Sequence, residues 1–459
     1  MSNSSSSRVS GIELRKSLNL IIIAITFGMA FFTVIGNPLG GPPFTGFIRA
    51  LGAGDLVYGI IMAMPVAGGI IQVFASYFIE STGKRRALFL IFGFIHRLLW
   101  IPIAIIPLIV PMDHKNIIIW AITILITIST SANSITAVSF WSWMGSLVPV
   151  EIKGRFFSRR TMISTITTIV VGLAVGKFLD LFQGFNGFAI VFIAIALLGA
   201  VDILCFIWIK HPPMEVPKER PPFIKLFFEP FKDRNYVRLI IFVSTWMFGV
   251  NFAGPFFNVY MIEYLKMSYL NISIFTQVLS SLATIFFIQY WGKLADKYGN
   301  KPVSKLCSTI ASILPILWIF ATPQNYLILL IMNFFAGLSW PGLDMANLNL
   351  SVWLAPEKNR SIYVAVYSLV TATVGIAAAY ICGGAFMEYT KSAIDSMAIP
   401  FVAGQKLSSF HLLFITSGVI RLFATHFLLP RVSEENSQPA SRVLLDLLPF
   451  SKSDNKLSL

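Results

Sequence analysis

Long apolar runs alternate with short polar segments along nearly the whole chain. Twelve runs stand out: the first six near residues 18–48, 55–79, 87–110, 117–143, 161–182 and 188–210, the second six near 237–265, 270–290, 302–321, 326–350, 362–386 and 408–430. Each has about the 20 residues that a helix needs to cross a bilayer. In that solvent a helix satisfies its own backbone groups. The pattern therefore predicts an all-α membrane protein with twelve transmembrane helices, numbered here as spans 1 to 12. A polar stretch, HPPMEVPKERPPFIKLFFEPFKDRNY (211–236), separates the two sets of six. Its prolines rule out one continuous helix, and its amphipathic part, FIKLFFEPF, could lie along the membrane surface. The predicted organisation is an N-tail 1–17, a bundle 18–210, a linker 211–236, a bundle 237–430 and a C-tail 431–459.

Composition agrees with lipid as the solvent. Hydrophobic residues make up 56% of the 459 and charged residues only 12%, about half the charged share of a soluble protein. A net charge of +14 would suit nucleic acid if it formed one patch, but the charges sit between apolar runs, so no nucleic-acid partner is expected. Cys205, Cys307 and Cys382 are scattered in or beside apolar segments, which gives neither a disulfide framework nor a metal site. No small-residue cleavage site follows a short first run, so that run reads as a span and not as a signal peptide. With the N-terminus inside, the inner segments hold 27 Lys and Arg and the outer loops five: Arg49, Lys115, Lys266, Lys391 and Lys406. This asymmetry predicts a multi-pass protein of the cell membrane with both termini cytoplasmic.

Two charged elbows then fall on the inner side. WGKLADKYGNK (291–301) lies between spans 8 and 9, and a fainter copy, SYFIESTGKRR (76–86), between spans 2 and 3. Gly41-Pro42 recurs as Gly254-Pro255, 213 residues later; Gly83 meets Gly299, 216 later. Pro149 and Arg155 of LVPVEIKGR meet Pro356 and Arg360 of LAPEKNR, 207 and 205 later. Landmarks in one order at nearly one period mark two homologous halves. Six spans per half is even, so both halves insert the same way, as in a two-lobed transporter.

The second elbow resembles the loop motif of the major facilitator superfamily, Gly-x-x-x-Asp-Arg/Lys-x-Gly-x-Lys/Arg, through Gly292, Asp296, Lys297, Gly299 and Lys301. The first copy keeps Gly83 and Arg85 but has Ser76 at the glycine position and Glu80 at the acidic one. The resemblance implies two pseudo-symmetric six-helix bundles, alternating access, and a gating role for the elbow residues. From the residues alone, Gly292 would let helices approach closely, Gly299 would take a positive φ, and Asp296 would accept hydrogen bonds at a helix N-terminus. A bare topology anchor is the plainer reading.

In such repeats a Gly or Pro break in the first helix of each half points to the binding site. Spans 1 and 7 carry one at Gly41-Pro42 and Gly254-Pro255. The resemblance implies that spans 1, 4, 7 and 10 line the cavity. Their polar residues are Ser131, Asn133 and Trp141 in span 4, Asn251, Asn258 and Tyr260 in span 7, and Asn333, Trp340 and Asp344 in span 10; Gln72 and Gln277 add to them. Asn and Gln both donate and accept, which suits a neutral polar solute, although a membrane Asn is as readily helix glue. Charges in the membrane are costly and so informative. Asp344, taken out of water, could carry a proton. Its alternative is a static pair with Arg97 or Arg421, and Asp202 reads as a structural partner. Lys177 and Asp180 read as a surface pair, and Gly172-x-x-x-Gly176 as a helix-packing pattern.

No phosphate-binding Gly-Lys-Ser/Thr loop and no metal spacing is present, and no catalytic pair stands at suitable spacing. No cofactor or enzyme activity is expected. The expectation is a monomeric secondary transporter that couples protons to uptake of a sugar-like or other neutral polar solute. Efflux of an amphipathic compound is the alternative, since Phe supplies 41 residues. A receptor or scaffold on the same fold is the alternative from another class.

Overall fold

The computed structural model describes residues 11–36, 39–212, 227–435 and 437–447. Among them the chain is helical throughout, apart from one isolated bridge between Pro400 and Lys406. Eleven helices are long and apolar enough to cross a membrane. The twelfth crossing is span 2, Asp55–Thr82, whose apolar stretch is Asp55–Val66. Span 1 comprises Gly11–Ile35 and Pro42–Ala50, and span 3 is Arg85–Ile109. Spans 4, 5 and 6 are Lys115–Leu147, Val150–Leu181 and Phe185–Cys205. Spans 7 and 8 are Arg234–Tyr264 and Tyr269–Tyr298; spans 9 and 10 are Asn300–Leu317 and Ile328–Trp353. Spans 11 and 12 are Ile362–Ser396 and Ser409–Arg431, and a short helix, Ala440–Leu447, follows. The first helix begins at Gly11, earlier than the expected 18.

Local chemistry sets the element ends. Gly83 closes span 2 with φ 66° and donates its N–H to the Ile79 carbonyl, a conformation that glycine adopts without a Cβ penalty. Asp233 caps span 7 by accepting the N–H groups of Asn235 and Tyr236 at 2.9 and 3.1 Å. Span 1 breaks as expected: Gly41 is the N-cap of a new helix and Pro42 its first residue, where the missing N–H costs nothing. Span 7 loses its regular turn at Gly254-Pro255 and ends in a π-type turn, with the Leu265 N–H bonded to the Tyr260 carbonyl at 2.9 Å. Of FIKLFFEPF only residues 227–231 are described; there Phe228 and Phe231 are exposed while Phe227 packs on buried core residues.

Two compact units result, and they do not follow the linker alone. The first holds Met1–Arg220 with Pro255–Gln277 and Tyr380–Tyr389; the second holds Pro221–Gly254, Val278–Ala379 and Thr390–Leu459. The reason is packing: parts of spans 7, 8 and 11 leave their own half of the sequence and settle on the first bundle. Within the first unit an aromatic core joins Phe31, Phe44 and Trp100, edge to face, with Phe47 and Phe192. Within the second unit Trp246, Trp291 and Tyr236 are fully buried. Large apolar side chains such as Trp120, Phe286 and Phe427 are exposed, as a lipid-facing surface requires.

Candidate functional site

The two helix breaks meet inside the first unit. The Asn258 amide donates to the Gly40 carbonyl at 2.7 Å. The Tyr58 hydroxyl donates to the Pro255 carbonyl at 3.3 Å and lies 2.9 Å from the Thr45 hydroxyl. At each break a side chain from elsewhere donates to a backbone carbonyl. Asn258, expected at the substrate, spends its amide on the first break. Tyr260 is fully buried, its ring stacked on Tyr264 at 4.8 Å.

Beyond the breaks stands an ion-pair fork that the sequence reading missed. The Arg49 guanidinium grips both Glu263 oxygens, at 2.5 and 3.1 Å, and turns its remaining nitrogen to Asp55 at 2.8 Å and the Ala53 carbonyl at 3.1 Å. Such planar bidentate bonding is the stronger kind of ion pair. A signal was present: Arg49 and Glu263 are 214 residues apart, close to the repeat period. They are opposite charges at twin positions of the two halves. Two further pairs fasten the same end of the unit. Glu388 accepts the Leu56 N–H at 3.3 Å, and Gly59 lies against Tyr380 and Gly384, where no side chain would fit. Asp180 accepts the N–H groups of Tyr269 and Leu270 at 2.8 and 3.1 Å. The expected surface pair of Asp180 with Lys177 is therefore replaced: a helix N-terminus offers unpaired donors and positive potential, which attract the carboxylate more strongly than an exposed lysine does. Gly172 and Gly176 act as expected, admitting Gln277 and the backbone at Tyr269 and Leu270. The Gln277 Oε1 is buried there without a hydrogen bond.

At the other end of span 2 the first elbow fastens the exit of span 6. Arg85 is buried and donates to His211 Nε2 at 3.1 Å, the Ser142 carbonyl at 2.9 Å and the Pro212 carbonyl at 2.8 Å. Trp143 donates to the Lys210 carbonyl at 2.9 Å. Burial, followed by the charges of Arg85 and Arg86, holds the His211 imidazole below its ordinary value. The Glu80 side chain lies outside the described residues.

The second elbow departs from expectation at two residues. Gly299 does take a positive φ, 96°. Gly292, however, has open space where a Cβ would stand, so close helix approach does not explain it. The N-terminus of span 9 is capped by Glu434, whose carboxylate accepts the Asn300 and Lys301 N–H groups at 2.8 and 2.7 Å. Asp296, the residue expected at a helix N-terminus, is exposed and stands on the last turn of span 8. A residue near a C-terminus points its side chain back along its own helix, away from the span that starts four residues later. Lys297 lies over the Tyr298 ring at 4.8 Å, and the Lys301 ammonium donates to the Pro430 carbonyl at 3.2 Å.

Among the buried charges, Arg97 pairs with Asp202 at 3.0 Å, which makes Asp202 the structural partner expected of it. Arg421 donates to the Ala311 and Val250 carbonyls at 3.1 and 3.4 Å. Among the described residues neither arginine takes Asp344, which is exposed on the second unit. Trp340, one turn before it, meets Trp246 edge to face at 5.4 Å. Asn251 donates to the Met247 and Gly375 carbonyls at 2.8 and 3.2 Å, and Asn333 to the Leu329 carbonyl at 2.8 Å. Ser131 and Asn133 are half-buried in the first unit; Trp141 is 57% exposed, beside Phe157 and Arg160. The predicted set is thus brought together in parts: Asn258 and Tyr260 lie beside the breaks, and Trp340 and Asp344 share one helix face.

Among curated protein sequences none matches the chain. Solved structures do. A variant of the nucleoside transporter NupG aligns with TM-score 0.71 at 13% identity, covering 91% of this chain and 100% of its own. A bacterial homologue of the human lysosomal transporter Spinster, inward-facing and occupied, aligns with TM-score 0.68 at 15% identity, covering 94% and 99%. A bacterial homologue of the iron transporter ferroportin, in an inward-facing state, aligns with TM-score 0.66 at 14% identity, covering 93% and 100%. Residues 239–454 match the Major Facilitator Superfamily in sequence. With twelve helical crossings and the repeated elbow, the chain has the fold of these transporters along its length, and its second half, residues 239–454, matches the Major Facilitator Superfamily.

Proposed function

We propose that the chain is a secondary active transporter that couples protons to uptake of a sugar-like or other neutral polar solute by alternating access, and that Asp344 carries the proton. The observation that carries this reading is the separation of charges: Arg97 is matched by Asp202 and Arg421 by backbone carbonyls, while Asp344 keeps a carboxylate that neither neutralises. An acid on a membrane helix without a fixed cation can bind and release a proton as its surroundings change. The lysine and arginine bias favours both termini on the cytoplasmic side, so the Arg49 end faces outward. Ser131 and Asn133 are the favoured solute contacts within the first unit. Asn251, Asn258 and Asn333 have their amides engaged by backbone and act as helix glue in this state. A nucleoside, the solute named for NupG, is of the neutral polar class that Asn and Ser side chains recognise.

The test begins with the purified full chain: a thermal-shift screen against nucleosides and sugars, followed by flux of the stabilising solutes in proteoliposomes. Accumulation should require an inwardly directed proton gradient. D344N should abolish accumulation while keeping solute exchange. Gradient-driven accumulation that survives D344N unchanged would remove Asp344 from the coupling. Binding without flux of any solute would favour the receptor reading.

A further inference from the structure

The two bundles treat one corresponding place differently. In the first, Arg97 of span 3 pairs with Asp202 of span 6 at 3.0 Å. Two glycines make room for the pair: a Cβ at Gly28 of span 1 would strike the Asp202 carboxylate, and one at Gly199 of span 6 the Arg97 stem. The second bundle repeats both glycines close to the repeat period. Gly249 of span 7 stands 221 residues after Gly28, and Gly418 of span 12 stands 219 after Gly199. The charges are not repeated. Arg421 of span 12 stands 219 residues after Asp202, and Ser312 of span 9 stands 215 after Arg97. Gly249 makes room for the Arg421 stem. A closed ion pair in one half therefore corresponds to a lone guanidinium in the other. We propose that Arg421 anchors an anion-binding site inside the second bundle, which takes one small monovalent anion, either chloride or a carboxylate group.

The surroundings of Arg421 supply the argument. It lies near the middle of span 12 and is 4% exposed. Among the described residues no carboxylate pairs with it. The Ala311 and Val250 carbonyls accept from its two terminal nitrogens at 3.1 and 3.4 Å, but a carbonyl brings no net charge. A buried cation without a counter-ion is costly. The Arg421 Nε is buried and has no hydrogen-bond partner. One turn on, and so on the same helix face, the Thr425 hydroxyl is fully buried and also without a partner. An anion would supply the missing acceptor and the missing charge together, through the charge-assisted bonds that are the stronger kind. A single positive charge matches a monovalent anion. The guanidinium lies 5.9 Å from the centre of the Trp246 ring, and the Trp246 indole donates to the Ser312 Oγ at 3.3 Å. Ser312 and Arg421 thus flank one ring, as expected of positions that correspond to a paired arginine and aspartate. The site shares no group with the proposed proton carrier or solute contacts, and its occupation does not depend on them.

The experiment follows thermal unfolding of the purified full chain at constant ionic strength. Chloride or acetate replaces gluconate, whose hydroxylated chain is too bulky for a buried site. The midpoint should rise with millimolar chloride or acetate and saturate, by about 2 °C or more, as ligand-linked stabilisation requires. R421Q should lose the response. S312D, which gives the second bundle a carboxylate of its own beside Trp246, should also lose it, and should unfold above the wild-type midpoint in gluconate. A response to chloride alone identifies an inorganic ion, and a response to acetate alone identifies the carboxylate of an organic solute. No response of the wild-type chain to either anion would overturn the proposal, as would an undiminished response in R421Q. Where R421Q does not fold, S312D decides: an undiminished response there has the same meaning.

Discussion

The Glu434 carboxylate accepts the N–H groups of Asn300 and Lys301, so a residue after the last span caps the helix that begins at the second elbow. The surrounding strap is held at several points. Asn235 and Ser433 exchange hydrogen bonds at 2.8 Å, the Gln438 N–H reaches the Tyr298 carbonyl at 2.9 Å, and Val432 and Val443 are fully buried. A lost cap costs about 1 kcal/mol. E434A should lower stability by that amount in denaturation of the purified protein, whereas D296N, at an exposed carboxylate, should change it by less than about 0.5 kcal/mol.

The two elbow glycines should separate in the same assay. An alanine at Gly299 would be strained at φ 96° and would meet Glu434 and Ser437, so G299A should cost about 1 kcal/mol or more. Gly292 is helical with open space at its Cβ position, so G292A should be neutral or stabilise by up to about 1 kcal/mol.

Arg97 and Asp202 form a buried pair with a sequence separation of 105 residues. Removing one partner strands a charge, so D202N should destabilise by about 3–5 kcal/mol. The double variant R97M/D202L removes both charges and should recover most of that loss. An unimproved double variant would mean that the cluster is held by something other than charge matching.

His211 gives the protein a pH-dependent term on its elbow side. Burial and the neighbouring arginines hold its imidazole below 6.5. Below that pH the unfolded chain takes up a proton that the folded chain refuses. The stabilisation is therefore fully present above 6.5 and declines as the pH falls toward the folded value. H211N should flatten the dependence of unfolding temperature on pH between about 7 and 5, because an amide oxygen accepts from Arg85 without titrating.

Twelve apolar runs and the doubled elbow were legible because each is a local property: run length against bilayer thickness, and glycine against positive φ. The Gly41-Pro42 break and the Gly172/Gly176 packing face were legible for the same reason. The roles of Asn258, Asp180 and Asp296 were not. An amide or a carboxylate serves equally as ligand, cap or glue, and the choice depends on which donor or carbonyl stands opposite.

The sequence by itself determined the solvent of this protein, the number and approximate placing of its crossings, and its duplicated plan, because hydrophobicity and backbone chemistry act within about twenty residues. Only the tertiary structure decided the partners: Glu263 for Arg49, Asp202 for Arg97, Glu434 for the second elbow and Gly40 for Asn258. Each of those pairs joins residues over a hundred positions apart. A charge or hydrogen bond is worth keeping in a low-dielectric interior only when packing brings its complement within about 3 Å.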